Sequence, residues 1–159
     1  PITSGNKWQY ISWAKSVDGV GDAKCLPLWN GAGTVKVIIV DSEKQLAGSE
    51  LINKVQSYID EQCPIGADVT VTTATAVSIN VTFSADVDES TIESIKSNIR
   101  SYLRDVSFAK GYVSYAKIGQ TILNTDGVDD YSNLKINSKT ENITISETEI
   151  AVLGGVAVG

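Results

Sequence analysis

The chain has 159 residues, 42% of them apolar and 20% charged, with a net charge of −6. That is enough apolar chain for a packed core, which excludes wholesale disorder. The acidic balance also argues against nucleic-acid binding, which needs a basic face: 6 Lys stand against 8 Asp and Glu in the first 75 residues, and 7 Lys and Arg against 11 in the rest. No apolar run approaches the roughly 20 residues that span a bilayer, so no membrane insertion is expected. The opening PITSGNKWQY lacks a signal-peptide pattern and reads as a continuation of upstream sequence, as in a fragment of a longer protein.

In chain order, a first helix is expected with Asn6 as its cap and Tyr10, Trp13, Ala14 and Val17 as its buried stripe. Asp18-Gly19 ends it, since Gly accepts the left-handed conformation past a helix end. A strand follows over about 22–29, then a hairpin turn at Asn30-Gly31-Ala32-Gly33 and a return strand over 34–40. Val35, Val37 and Ile39 share one face of that strand. Ile38 and Val40 make the other face apolar as well, which predicts cover on both sides. Ser49 is expected to cap a helix that runs to about Gln62, with Leu51, Ile52, Val55, Tyr58 and Ile59 inward and Pro64 as its stop. A strand over about 67–72 completes this half.

The polar TTATA stretch, Thr72–Ala76, marks the expected boundary between a first module, 1–74 (helix–hairpin–helix–strand), and a second, 75–159 (strand–helix–helix–strands). From Val77 the chain alternates through Ile79, Val81, Phe83, Ala85 and Val87, the pattern of a half-buried antiparallel strand. Ser90-Thr91-Ile92-Glu93 reads as a capping box opening a helix to about Val106, with Ile92, Ile95, Ile99, Tyr102, Leu103 and Val106 inward. A short strand near 112–115 and a helix over about 116–124 follow. Strands are then expected near 132–136, 142–145 and 150–158. The layout helix–Asp-Gly-Val–strand–Asn–turn–strand occurs twice, at Asp18-Gly19-Val20 and at Asp126-Gly127-Val128. Either internal duplication or shared turn chemistry accounts for it. The fold class is α+β: two small modules, each an antiparallel or mixed sheet with helices packed on one face, in an arrangement compatible with duplication.

Reactive chemistry is sparse. The chain has no histidine, which removes the commonest general base, the Ser-His and Cys-His nucleophile pairs and the commonest zinc ligand. Cys25 and Cys63 read as reduced, partly buried thiols, with a disulfide as the lesser alternative. Gly31 and Gly33 join two strands and so do not form a phosphate loop. Asp86/Asp88/Glu89 and Asp126/Asp129/Asp130 do not match calcium-loop spacing and read as helix-start and turn chemistry. Lys36 reads as a solvated or edge-strand charge. Asn80-Val81-Thr82 and Asn142-Ile143-Thr144 match the glycosylation pattern by chance. Trp13 belongs to the helix stripe, whereas Trp8 and Trp29 are candidate partner contacts, Trp being enriched among interface anchors. No catalytic residue, cofactor site or metal site is expected, and the chain is read as a non-enzyme.

Several segments carry a resemblance in their order and spacing: SGNKWQYISWAKSVDGVGDAK (4–24), LPLWNGAGTVKVIIVD (26–41), ELINKVQSYID (50–60), PIGADVTV (64–71), VSINVTFSADVD (77–88) and IGQTILNTDGVDDY (118–131). Together they resemble the baseplate J-like family of phage tail proteins, especially members carried by prophages and phage-like particles of Gram-positive bacteria. The resemblance covers the middle and C-terminal portions of such proteins. It implies a structural subunit of the wedge or ring of a contractile-tail baseplate, joining tail tube and sheath to the fibre-bearing periphery. Implied partners are a small wedge subunit, a tail-fibre-attachment protein and copies of the chain itself. The implied location is the virion tail, with assembly in the bacterial cytoplasm. The family offers no catalytic residues to carry over. Competing readings are a protein- or glycan-binding surface module working through exposed aromatics, and a tail-associated hydrolase.

Overall fold

The structure is a computed structural model and describes residues 4–63 and 65–159. The chain divides into two compact units, Pro1–Thr75 and Ala76–Gly159. Each has its own sheet and its own hydrophobic core, so the fold class is α+β with two sheet-containing modules.

The first unit runs α1 (Ser4–Ser16), β1 (Val20–Pro27), β2 (Thr34–Asp41), α2 (Ser49–Gln62) and β3 (Asp68–Thr73). Its sheet has the order β1-β2-β3. The first pair is antiparallel, joined by a hairpin, and the second is parallel, so α2 serves as the crossover that a parallel pair requires. The register aligns Cys25, Val37 and Val71 in one row and Ala23, Ile39 and Thr73 in the next. Tyr10 and Ala14 of α1 and Val55 and Ile59 of α2 pack on that face. Ile38 and Val40, on the opposite face of β2, are buried as well, as the unbroken apolar run predicts. Burying one such isoleucine fully stabilises the fold by about 1.5–3 kcal/mol.

Local details differ from expectation where several residues compete for one role. The first helix is already formed at Ser4, so Asn6 lies inside it. Ser49 is the first residue of α2, and the cap is Gly48, which contributes no side-chain hydrogen bond. Pro64 lies outside the described residues. In the hairpin, positive φ falls on Leu28 (60°), Gly31 (100°) and Gly33 (78°), but not on Asn30. Pairing slips between Val20 and Asp22, and Gly21 occupies the bulge. A Cβ there would collide with the backbone carbonyl oxygen of Asp41. The outer edge of β3 is occupied by a side chain: Gln56 Nε2 donates to the Val69 carbonyl (2.9 Å), and its Oε1 accepts from the Val71 N–H (2.8 Å).

The second unit holds all but the first residue of β4 (Thr75–Ser84), then α3 (Glu89–Val106), β5 (Tyr112–Val113), α4 (Tyr115–Leu123), β6 (Ser132–Ile136), β7 (Ile143–Thr144) and β8 (Glu149–Val158). The sheet order is β6-β4-β8, with β4 and β6 antiparallel; β5 and β7 form a separate short antiparallel ladder. Alternation along β4 is realised, with Ile79, Val81 and Phe83 buried and Ser78, Asn80 and Thr82 exposed. Ile95, Ile99 and Leu103 of α3 and Ile118 and Ile122 of α4 complete the core. The cap of α3 is Asp88, whose carboxylate accepts from the Thr91 N–H at 2.8 Å, two residues before the expected Ser90. An aspartate at that position serves the helix dipole as well as the cap, so it outcompetes a nearby serine.

Both Asp-Gly-Val turns place glycine at positive φ, Gly19 at 101° and Gly127 at 96°. The strands beyond them pair differently. β1 and β2 form a hairpin, whereas β6 pairs with β4 and β7 with β5. After β6, Asn137 (φ 51°) turns its amide back onto β4. Its Oδ1 accepts from the Asn80 N–H (2.8 Å) and its Nδ2 donates to the Ser78 carbonyl (3.0 Å).

Candidate functional site

The chain's chemistry-bearing groups are dispersed. Among the described residues, no three His, Cys, Asp or Glu side chains gather as a metal site. The two acidic clusters are used locally. Asp88 caps α3, and hydrogen bonds from Thr91 and Ser90 hold its carboxyl below the usual range. Asp130 accepts from the N–H of Tyr131. Asp86 and Asp130 line one open concavity of about 490 Å³ in the second unit, together with Ser84, Tyr131, Ser132 and Gly159. Neither histidine nor cysteine is among these lining residues.

Cys25 and Cys63 are both free thiols. Cys25 is fully buried on β1, and burial pushes its thiol up to about 11. Cys63, at the end of α2, lies 3.8 Å from the Tyr10 hydroxyl. Burial, assisted by that contact, raises Tyr10 to about 12. Groups held this firmly in their neutral forms are suited to packing, and a thiol so raised is a poor nucleophile.

The distinctive surface is apolar and lies at one end of the first sheet. Leu28 and Trp29 sit in the β1–β2 hairpin, exposed by 56% and 45%, and Ile65 in the turn before β3 is fully exposed. The Asp68 N–H donates to the Gly33 carbonyl at 3.0 Å, and Thr34 pairs with Asp68, so the two turns adjoin. The backbone fixes this display. Leu28 is held at positive φ, with its N–H on the Thr34 carbonyl at 2.8 Å, and the Thr34 hydroxyl donates to the Gly31 carbonyl at 2.7 Å. Lys36 Nζ sits 5.0 Å from the centre of the Trp29 ring, a cation–π contact that braces the indole. Lys36 therefore belongs to the central strand β2 and to this surface, and is not the edge-strand charge its sequence context suggested.

Trp8 projects from α1 with 69% exposure, and Trp13 packs edge-on against Tyr10 at 5.4 Å. Sequence reasoning named Trp8 and Trp29 but missed Leu28 and Ile65. The signal for Ile65 was its place between Pro64 and Gly66, a turn with no strand periodicity to bury it. For Leu28 it was the loss of alternation just before the glycines.

Residues 2–73 match the model of the Baseplate J-like central domain, and residues 75–159 match that of the Baseplate J-like protein C-terminal domain. Phage-like element PBSX protein XkdT of Bacillus subtilis (strain 168) is 38% identical over 168 residues, which take in 98% of this chain and 48% of that protein. Baseplate protein gp47 of Escherichia phage Mu is 24% identical over 169 residues, covering 98% of this chain and 46% of its own length. The chain thus spans about half the length of these curated relatives. Among solved structures, a chain of the anti-feeding prophage (AFP) baseplate, determined by cryo-electron microscopy, superposes with a TM-score of 0.63 at 7% identity. That superposition covers 91% of this chain and 36% of the other, and it speaks for the fold alone. With the two domain models tiling it in order, the chain belongs to the baseplate J-like family of phage tail baseplate proteins.

Proposed function

We propose that this chain is part of a non-catalytic structural subunit of a tail baseplate, in the wedge or ring that links tail tube and sheath to the fibre-bearing periphery. The observation that carries this reading is the pair of baseplate J-like domain matches, which run in order and leave almost no residue outside them. The dispersed titratable groups and the thiols held neutral suit a scaffold better than an enzyme. In this reading the modules 1–74 and 75–159 are successive pieces of the subunit. Its partners are a small wedge protein, a tail-fibre-attachment protein and further copies of itself. It is assembled in the bacterial cytoplasm and resides in the tail.

Trp29, braced by Lys36 and flanked by Leu28 and Ile65, is the proposed partner contact of the first module, with Trp8 a second contact on α1. An aromatic ring held in place by its own protein gives up little conformational entropy on docking. Deletion of the gene in a particle-producing host tests the function. Tails without baseplates, seen by electron microscopy and restored by the intact gene, are the expected result. Complete baseplates in the deletion strain would refute the assignment.

A further inference from the structure

A three-stranded sheet has two outer edges, and each exposes backbone N–H and C=O groups that invite another strand unless something blocks them. In the first unit, β1 carries Asp22, Lys24 and Pro27, and β3 is occupied by Gln56. In the second, β6 carries Lys135, and the Tyr115 hydroxyl donates to its Leu134 carbonyl at 2.6 Å. β8 has no such guard. It is ten residues long, it has a neighbouring strand on one side only, and it has no charge from Ile150 to Gly159.

The sequence of β8 has a second property. Read outward from Gly154-Gly155, Leu153 answers Val156, Val152 answers Ala157, and Ala151 answers Val158. The packing follows the same symmetry. Ala151 and Leu153 face the core on one side of the glycine pair, and Val156 and Val158 face it on the other, so the alternation changes phase at Gly154-Gly155. Opposed residues of an antiparallel pair point to the same face of a sheet. A strand with unbroken alternation, paired about the Gly154/Gly155 midpoint, would set each core-facing residue against an outward-facing one. The phase change removes that conflict. Leu153 then opposes Val156 and Ala151 opposes Val158, both on the core face, while Val152 opposes Ala157 on the other.

We infer that the free edge of β8 pairs antiparallel with β8 of a second copy of this chain, about a twofold axis between Gly154 and Gly155. The sheets of two second units then join into one of six strands, with α3, which packs against β8, on the same face in each. The occupant is a second copy because the strand is complementary to itself: small faces small across the glycines, apolar faces apolar beyond them. An uncharged strip also spares two acidic chains the repulsion that other faces would bring. This deepens the assembly reading above and rests on it only in requiring that copies meet.

Two cysteine variants, Val152→Cys and Ala157→Cys, test the register. Opposed residues of an antiparallel pair have Cα atoms about 4.5–5.5 Å apart, within the roughly 4.4–6.8 Å that a disulfide spans. The expected result is a concentration-dependent dimer in sedimentation, and a disulfide-linked dimer that forms at least about tenfold faster when the two variants are mixed than with either alone or with the parent chain. Thermal melting of each variant confirms that both fold. A chain that stays monomeric at all concentrations would assign the edge to a strand of another protein and overturn the inference. So would a dimer in which mixing gives no cross-linking advantage, since the copies would then meet elsewhere. Either result, obtained beside normal baseplates in the intact particle, would remove the strand pairing and leave the assembly role standing.

Discussion

The two units solve one local problem with the same chemistry and a different outcome. In each, a carboxamide side chain spans two residues of a strand, donating to one carbonyl and accepting from the N–H two positions later: Gln56 on Val69 and Val71, Asn137 on Ser78 and Asn80. A carboxamide has the donor–acceptor geometry of a peptide group, so it stands in for a neighbouring strand. Gln56 reaches from a helix and closes the outer side of β3. Asn137 follows β6 in the chain and prolongs its ladder along β4, leaving β8 on the far side open. The first unit ends its sheet, and the second keeps one side available. Edge protection is thus set by single residues and does not follow from the fold class.

The units also differ in their titrations. The groups raised by burial gather in the first: Tyr10, Cys25 and Cys63, against Tyr102 in the second. The carboxyls lowered by hydrogen bonds, Asp88 at the cap of α3 and Glu149 at the start of β8, are both in the second.

The largest expected effect is symmetric between the units and sets the scale. Ile39→Ala in the first and Ile99→Ala in the second each remove a fully buried side chain and should cost about 2–5 kcal/mol in denaturant unfolding. A much smaller loss at one site would show that its core collapses around the cavity. Next come the glycines. Gly21→Ala sets a methyl against the Asp41 carbonyl, which the β1–β2 ladder holds, and should destabilise by about 1–3 kcal/mol. Gly154→Ala meets only the side-chain ends of Ser78 and Asn80, which can turn aside, and should cost clearly less. Equal costs would mean that those two side chains are as fixed as backbone.

The carboxamides rank beside Gly21. Gln56→Leu and Asn137→Leu each remove two hydrogen bonds to strand backbone, at about 0.5–1.5 kcal/mol per bond, and Gln56→Leu also loses an exposed bond to Asp60. The Asn137 variant should lose more, because leucine tolerates φ 51° poorly. Only Gln56→Leu should add aggregation measurable by light scattering, since it alone bares an outer edge.

The pH dependence is the gentlest probe. A thiol or phenol whose folded pKa is raised contributes stability that is intact below its unfolded pKa and lost as pH climbs toward the folded one. The first unit should therefore weaken above about pH 9, the window running to the raised Cys25 and Tyr10 values. A carboxyl with a depressed pKa contributes stability above its unfolded pKa that is lost as pH falls through the folded value. The second unit should therefore weaken first in acid. All three tryptophans lie in the first unit, so their fluorescence separates the two limbs. An alkaline transition silent in fluorescence would contradict the assignment.

Periodicity made most of the elements legible in the sequence. The alternation of β4 and the stripes of α2 and α3 were readable because burial on one face imposes a period that the chain must spell out. Caps were less so: Asp88, Ser90 and Thr91 all qualify, and only geometry selects among them. Apart from the β1–β2 hairpin, strand partners were not legible, because whether β6 pairs with β4 or β7 depends on contacts far apart in sequence. At the surface, Trp29 was visible by residue type. The supporting Lys36 and the neighbouring Leu28 and Ile65 were not, because turns carry no period. The phase change in β8 was present as two adjacent glycines, yet it acquired meaning only beside the packing of Leu153 and Val156.

The amide nitrogen of Asn137 has a role that a carboxylate oxygen could not take over. Hydrolysis of that side chain to a carboxylate would replace the nitrogen that donates to the Ser78 carbonyl with an oxygen that cannot, and would set negative charge against a lone pair at hydrogen-bonding distance. The bond to Asn80 would survive, so the strand would loosen at one end and hold at the other. The change would be felt in the sheet that carries β8, on the side of β4 away from it.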